Sequence, residues 1–599
     1  MANEIYHQSN WGSPKKDGWG DSYFNPSATN KLYARSDNYE NSNGTDKALA
    51  SKPDTQSVLM TPTAYSVGSM NSILPPYEVL PTELVTNGGF DTDSGWTKGT
   101  GTTISGGNAN FVNATGVSLY QNIGTQEGSV KVVFNVTNYT SGTLNIYSGG
   151  NQSVGVINVS ANALGTYTAD VIRTGGNNNI IFGSTSGFTG SIDNVSVKEV
   201  RNADFTFDRN STATRVNKEG LIETVAIDTP RLDYPLIDGV VQSEPALLLE
   251  PARTNSITYS EDFSQTYWTK TISTITSNVA ISPNGSLNAD KLIPSASNDI
   301  HKIGRNVGSV TGDYTFSIFA KKGEYKNILL WDDNLSEGIG INLDDLSVFR
   351  NVGNEGYKIE NYGNGWVRIS LILNYSAQAI RYSIYLYDNS NELTFTGNGT
   401  DGLYIWGAMV EQGSYATSYI PTSGSSVTRS AETASGAGTS DDFNDSEGVL
   451  YAEIAALADD QTRRHISISD GSAANAVRFH YHDDSNSIRF QVRESGSIAA
   501  SVSFTVNDVK TFHKVALFYK ENDVKFFIDG IKVGTDTTAT MPTGLSKLAF
   551  NQGTMNQFFY GRTKEVATFK TALTDSELEA LTSWDSFNDM ATGQLYSIK

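Results

Sequence analysis

The chain has no cysteine in 599 residues, so no disulfide contributes to its stability and folding in a reducing cytosol is permitted. Basic residues are in deficit: 43 Lys and Arg face 64 Asp and Glu, a formal net charge of −21. That balance argues against nucleic acid, because phosphate binding needs a positive footprint. It argues equally against an anionic surface as an unaided electrostatic target, which leaves neutral glycans or a protein. No run approaches the roughly 20 apolar residues of a membrane span, so membrane insertion is not expected. The opening MANEIYHQSNWG has neither a basic region nor an apolar core, so no secretory signal peptide is expected. Heptads are missing, and with them any sequence support for a coiled-coil stalk. Histidine is scarce, at six residues. No nucleophile elbow, phosphate loop or H-E-x-x-H occurs.

What is present is 29 Tyr, 26 Phe and 55 Gly set among abundant Thr, Ser and Asn. That mixture favours β-sandwiches with many turns. At this length one core is too few and several domains are expected. The expected fold class is therefore all-β and multi-domain, built of β-sandwiches.

Residues 1–82 are polar and weakly periodic, with scattered aromatics such as Tyr6, Trp11, Trp19 and Tyr33. They read as an arm, either disordered or ordered on another protein through those aromatics. Residues 83–200 show short alternating strands at regular spacing, between an opening Asn87-Gly-Gly-Phe-Asp91…Trp96 and a closing Ile192-Asp-Asn-Val-Ser-Val197. These two ends resemble those of jelly-roll carbohydrate-binding modules. In that family an acidic residue after the first Phe and an Asp near the last strand often help hold a structural calcium; the matching positions are Asp91 and Asp193. Two side chains are only part of a six- to eight-oxygen shell, and both also suit turns.

Residues 201–250 are a connecting segment with neither helical nor heptad period, which cannot form a core alone and must wrap onto a neighbour. Residues 251–421 read as a second jelly roll, since Phe263-Ser-Gln-Thr-Tyr-Trp268 echoes Phe90-Asp-Thr-Asp-Ser-Gly-Trp96, with Ser264 replacing the Asp. In Arg381-Tyr-Ser-Ile-Tyr-Leu-Tyr387, Tyr385 and Tyr387 share one strand face. On a solvent face they would stack on sugar rings; otherwise both faces are covered. Residues 422–446 are small and polar and read as a linker.

Residues 447–583 contain a hairpin pattern, with Val515, Leu517, Tyr519 and then Val524, Phe526, Ile528 in alternation before an Asp529-Gly530 turn. A capping box at Thr574 and Glu577 starts a short helix carrying Leu578 and Leu581. These features resemble the laminin-G/concanavalin-A-like sandwich. Phe512 stands where that family usually has Trp, and Lys564 where it usually has Asp. Residues 584–599 are a tail.

Catalytic residues are not expected. Glycoside hydrolysis needs two carboxylates about 5–9 Å apart, and the strands of 447–583 carry no such acidic pair. Arg478, His480 and His482 alternate on one strand face; two His so spaced can share a metal, while the plainer reading is a solvated polar face.

One stretch has a longer resemblance. Phe207–Val216 (FDRNSTATRV), Pro230–Tyr234 (PRLDY), Leu247–Asn255 (LLLEPARTN) and Tyr259–Trp268 are similar, in order and wording, to a segment of fibre and spike proteins of tailed bacteriophages. The resemblance implies a non-enzymatic tail or head fibre, assembled in the host cytoplasm. It would join other virion proteins through residues 1–82, form a homotrimer and recognise host-surface glycan. The alternatives are a polysaccharide-cleaving tailspike and a capsid decoration protein.

Overall fold

The computed structural model describes residues 56–61, 65–66, 68–70, 72, 78–124, 128–148, 156–173, 179–201 and 203–584, together with the pairs 4–5 and 597–598. The chain divides into two compact units, residues 73–203 and residues 1–72 with 204–599. Strands dominate both, as the composition implied, and the fold is multi-domain all-β.

Residues 73–203 are held by one long strand, Asn179–Arg201, which pairs antiparallel with Asn108–Asn122, Gly128–Ser141, Leu144–Ser148 and Glu78–Glu83. Period-two alternation places Val130, Val132, Phe134 and Val136 in the core with Phe90, Trp96, Phe111, Leu119 and Phe182. The segments Asn179–Phe182 and Gly190–Glu199, which read as two pieces, are one strand broken only by register shifts near Ser184 and Phe188. Asn108–Asn122 was not legible as a strand because its inward and outward positions do not separate by polarity: Val112 is exposed while Ser118 and Gln121 are buried. The two ends of the unit meet: Val195 N donates to Gly88 O at 2.9 Å and Leu84 N to Val197 O at 2.8 Å. A Cβ on Gly88 would stand 2.0 Å from the Val195 carbonyl oxygen, so glycine is required there.

The larger unit contains the second sandwich. Lys302–Lys321 and Trp366–Tyr387 run antiparallel along almost their whole length and are flanked by Leu403–Gln412 and Asn327–Asp332. Its core gathers Phe263, Trp268, Phe316, Ile318, Leu371, Tyr382, Ile405 and Val410. The echo between the two opening motifs is structural. Trp96 Nε1 donates to Asn87 O and Trp268 Nε1 to Tyr259 O, each at 3.0 Å and each nine residues back. Each indole also packs on the motif's Phe, with ring centroids 5.5 and 4.9 Å apart.

The C-terminal sandwich has two sheets. One runs Arg231–Asp233, Ala246–Leu249, Gly561–Phe569, Glu447–Ala456, His513–Lys520, Val524–Ile528, Ile531–Asp536; the other runs Ser497–Thr505, Ser487–Glu494, Ala476–Tyr481, Arg464–Ser469, Lys547–Ala549. The expected hairpin has the expected register, with Leu517 opposite Phe526 and Val515 opposite Ile528. Phe490 and Phe526 meet between the sheets, 5.5 Å apart. Helix Asp575–Thr582 starts at the Thr574 capping box. The two departures from the laminin-G pattern touch one another: Lys564 Nζ lies 4.5 Å above the Phe512 ring and 3.4 Å from Glu453. Trp584, the first residue of the expected tail, is buried beneath Lys514. Of that tail only the pair 597–598 is otherwise described, and it pairs with Glu4–Ile5.

The connecting segment extends this sandwich. Ala246–Leu249 pairs with the first half of Gly561–Phe569, and Gln56–Met60, from within the expected arm, pairs with its second half. That part of the arm folds onto its own chain; residues 6–55 lie outside the described residues. Beneath the added strands lies a buried ionic knot. Glu432 accepts from Arg209 Nη1 (2.7 Å), Arg231 Nε (2.8 Å) and Glu250 N (2.9 Å). Glu250 pairs with Arg231 at 2.9 Å and Arg429 at 2.8 Å. All five side chains are at most 4% exposed. Burial favours a neutral Glu250, but Arg429 and Arg231 outweigh it and hold the carboxyl well below the usual carboxylate range. Residues 422–446, expected as a linker, are therefore packed. Val427–Arg429 pairs with Arg253–Asn255, and Thr433–Ser435 pairs with Phe205–Asp208. Small polar residues suggested flexibility because the partners of Arg429 and Glu432 lie some 180 to 220 positions earlier.

Candidate functional site

The outer face of the second sheet of the C-terminal sandwich carries the site. Along Arg464–Ser469, Ala476–Tyr481 and Ser487–Glu494 one set of alternate side chains, Ile466, Ile468, Val477, Phe479, Ile488, Phe490 and Val492, fills the core. The other set is polar and cationic. Strand register lines it into cross-strand rows: His465, His480, Arg489; then Ser467, Arg478, Gln491; then Ala476, Arg493. Side chains directly opposite one another stand about 4.5–5.5 Å apart at Cβ, so each row is a contact. The His465 and His480 rings stack with centroids 4.1 Å apart.

This face is a pocket of about 380 Å³. Its floor is buried: His465, His480, Gln491 and Arg478 are 1, 2, 5 and 6% exposed. Its rim adds Arg463, Arg489, Arg493, Ile498 and, from the loop after Lys547–Ala549, Gln552 and Gln557. Among the described residues no Asp or Glu lines it. Arg478 is aimed by hydrogen bonds from Nε and Nη2 to Gln491 Oε1 (3.1 and 2.8 Å) and from Nη1 to Gln552 O (3.3 Å). Among the described residues, Arg478, Arg489 and Arg493 have no carboxylate at ion-pair distance; Arg463 has Asp483, at 2.7 Å.

The electrostatics follow. Burial, with Arg493 and Arg463 nearby, brings the Arg478 guanidinium down to about 10. Burial and Arg478 bring His465 down to about 3. Burial, His465 and Arg478 take His480 well below the usual imidazole range. Both rings are thus neutral at pH 7, and among the described residues His480 Nδ1 has no hydrogen-bond partner. The −21 of the whole chain therefore conceals a cavity lined by four arginines, which the expectation drawn from net charge, that an anionic surface is an unlikely unaided target, did not foresee.

Of the sequence candidates, Arg478 and His480 line this pocket and His482 does not; its ring lies 2.6 and 2.8 Å from Asp483 and Asp484. The solvated face is instead a walled one. Tyr385 and Tyr387 do share a face, but they are 9% and 4% exposed. Lys302 Nζ sits 4.8 Å above the Tyr385 ring and Phe349 packs 5.1 Å from Tyr387. The expected stacking platform is thus a covered cluster with Leu329 and Trp331. Asp91 is exposed; Asp193 is half-buried, and its carboxylate accepts from Asn194 N and Nδ2. The Val195–Gly88 hydrogen bond brings the segments that bear them side by side. Any calcium shell there would draw further oxygens from the backbone. Among the described residues no group of three or more His, Asp or Glu side chains is placed to hold a metal.

Sequence reasoning missed His465, Arg489 and Arg493. The signal was present in Arg489-Phe-Gln-Val-Arg493, where Arg and Gln alternate with Phe and Val; what it lacked was the register that sets this strand beside Arg478 and His480.

No curated protein matches the chain. Among solved structures the chain is similar to the CBM40 of a Ruminococcus gnavus IT-sialidase, seen in two structures, one of them bound to alpha2,3-sialyllactose. Each is 16% identical over 25% of this chain and 94% of that one, with a TM-score of 0.22. The LG1-3 region of the laminin alpha2 chain aligns with 78% of this chain and 97% of its own, at 10% identity and a TM-score of 0.13. Residues 439–579 match the family model of the concanavalin A-like lectin/glucanases superfamily, laminin-G type, and the C-terminal sandwich is a domain of that lectin-like kind.

Proposed function

We propose that the protein is a non-enzymatic, adhesive component of a bacteriophage virion, a tail or head fibre, that presents lectin-like sandwiches to glycans on the host surface. The observation that carries the glycan reading is the preformed pocket on the outer face of a concanavalin-A-like sheet: concave, with a buried polar floor and the size of a small-ligand site. The wording of Phe207–Trp268 supports the phage assignment. Attachment to other virion proteins through residues 1–82 and a homotrimeric state belong to the same proposal, and multivalency would raise weak single-site affinity. The absence of carboxylates from the pocket lining favours binding over glycoside hydrolysis, which employs two.

The test is to incubate purified chain with host cells and with host polysaccharide. Saturable binding that blocks infection, with no new reducing ends, is the expected result. New reducing ends abolished by a single carboxylate substitution would establish a tailspike instead. Protein that neither binds nor blocks would point to a decoration protein, and virions labelled with antibody to residues 447–583 would place it. Calcium at Asp91 and Asp193 is tested separately: millimolar calcium should raise the melting temperature of the intact chain's 73–203 unit, and Asp91→Asn should erase that shift.

A further inference from the structure

We infer that the pocket on the Arg464–Glu494 sheet face selects acidic saccharides, pyranoses carrying a carboxylate or sulfate group, over neutral ones. The inference rests on the glycan-binding reading above and specifies its ligand. Four arginines, Arg463, Arg478, Arg489 and Arg493, converge on one cavity in a chain whose net charge is −21, and no acidic side chain lines that cavity. Like charges crowded in this way repel, and nothing on the protein side neutralises Arg478, Arg489 or Arg493 among the described residues. A ligand anion would supply the missing charge. Guanidinium groups suit planar or tetrahedral oxyanions because their N–H donors form a fork.

The rest of the lining suits a sugar ring better than a bare ion. Gln552 and Gln557 add amide donors and acceptors. Ile498, 53% exposed at the rim, offers an apolar surface to ring C–H groups. Arg478 is already held at three of its N–H groups, so its orientation is not lost or gained on binding.

The experiment titrates the full chain with glucuronic acid, galacturonic acid, their methyl esters, glucose 6-sulfate and glucose, followed by ligand-observed NMR at millimolar concentration. The acids or the sulfate should bind at least about tenfold more tightly than the esters and glucose, with the preference shrinking as salt rises. The two acidic arms tell carboxylate from sulfate. Arg478→Gln should remove the preference; Arg493→Gln is the second variant should the first fail to fold. Esters binding as well as acids would overturn the inference and leave the glycan reading intact. So would a neutral host glycan that binds equally to wild type and Arg478→Gln. If neither acidic nor neutral sugars bind, and host glycan does not either, both fall.

Discussion

Replacing Glu432 by glutamine changes no shape and deletes one buried charge. In the folded protein Glu432 is 0% exposed and accepts from Arg209, from two nitrogens of Arg231 and from the Glu250 amide. The knot holds three arginines and two glutamates, a surplus of one positive charge. Without Glu432 the surplus becomes two, and the new amide turns a donor toward guanidinium donors. Breaking a buried ion pair from one side costs about 3–5 kcal/mol, because the partner's charge is left uncompensated. Arg209→Met is the informative contrast. It leaves two arginines and two glutamates, a balanced set, and burial already works against the Arg209 charge. It forfeits hydrogen bonds to Ser211 O and Ala226 O as well as to Glu432, so a tally of bonds would rank it beside Glu432→Gln. Charge balance ranks it lower, at about 1–2 kcal/mol. Urea denaturation of the whole chain, followed by tryptophan fluorescence, measures both. The transition of residues 204–584 should shift, whereas that of residues 73–203, reported by Trp96, should not. Glu432→Gln within about 1 kcal/mol of wild type, or Arg209→Met equally damaging, would refute the reasoning.

His465 and His480 are neutral in the fold and protonate near pH 6.5 once unfolded, so their contribution is present above that pH and lost as pH falls below it. For His465, brought down to about 3, the cost is about 2 kcal/mol by pH 5; His480 is shifted in the same direction, so His480→Gln should flatten the acid limb of the stability profile, and an unchanged profile would mean His480 is not held neutral. His513, raised by Asp529 against its burial, acts in the opposite sense and is common to both proteins. Lys564→Asp installs the usual family residue but removes the cation beside buried Glu453 and leaves a second carboxylate nearby; stability should drop by about 1–3 kcal/mol at pH 7 and recover toward pH 4, as read by thermal melts. Trp96→Phe and Trp268→Phe each leave a carbonyl without its indole donor, at about 1–3 kcal/mol, and each should shift the unfolding transition of its own unit only.

Local pattern carried much of the fold. The Val515–Ile528 hairpin, the Thr574 cap and the alternation of Val130 to Val136 each depend on neighbours within a few positions. The knot does not: Glu432 becomes meaningful only when Arg209 and Arg231 arrive from about 200 residues away, and the sequence around it looks like a linker. Tyr385 and Tyr387 show the same limit from the other side. Their shared face was correctly read from period two, but whether Phe349 and Lys302 cover that face is a tertiary matter. Arg478 and His480 were legible as alternating residues; the pocket was not, because it needs Arg489 and Arg493 in register beside them.

The two outer faces of the C-terminal sandwich show why the arginine pocket asks for a ligand. On the first sheet, charged groups answer one another. Lys564 meets Glu453, and Lys525 and Lys532 meet Asp575 of the closing helix at 2.9 and 2.7 Å. The charges on that face are balanced by protein. On the second sheet Arg478, Arg489 and Arg493 bond, among the described residues, only to neutral oxygens, Gln491 Oε1, Gln552 O, Ser503 Oγ, Ala473 O and Gly496 O. Neutral acceptors hold a guanidinium in place without cancelling its field. A chain with 21 surplus negative charges had ample carboxylates to place there, as it did on the other face. Their absence from the pocket alone is what an anionic group from outside would complete.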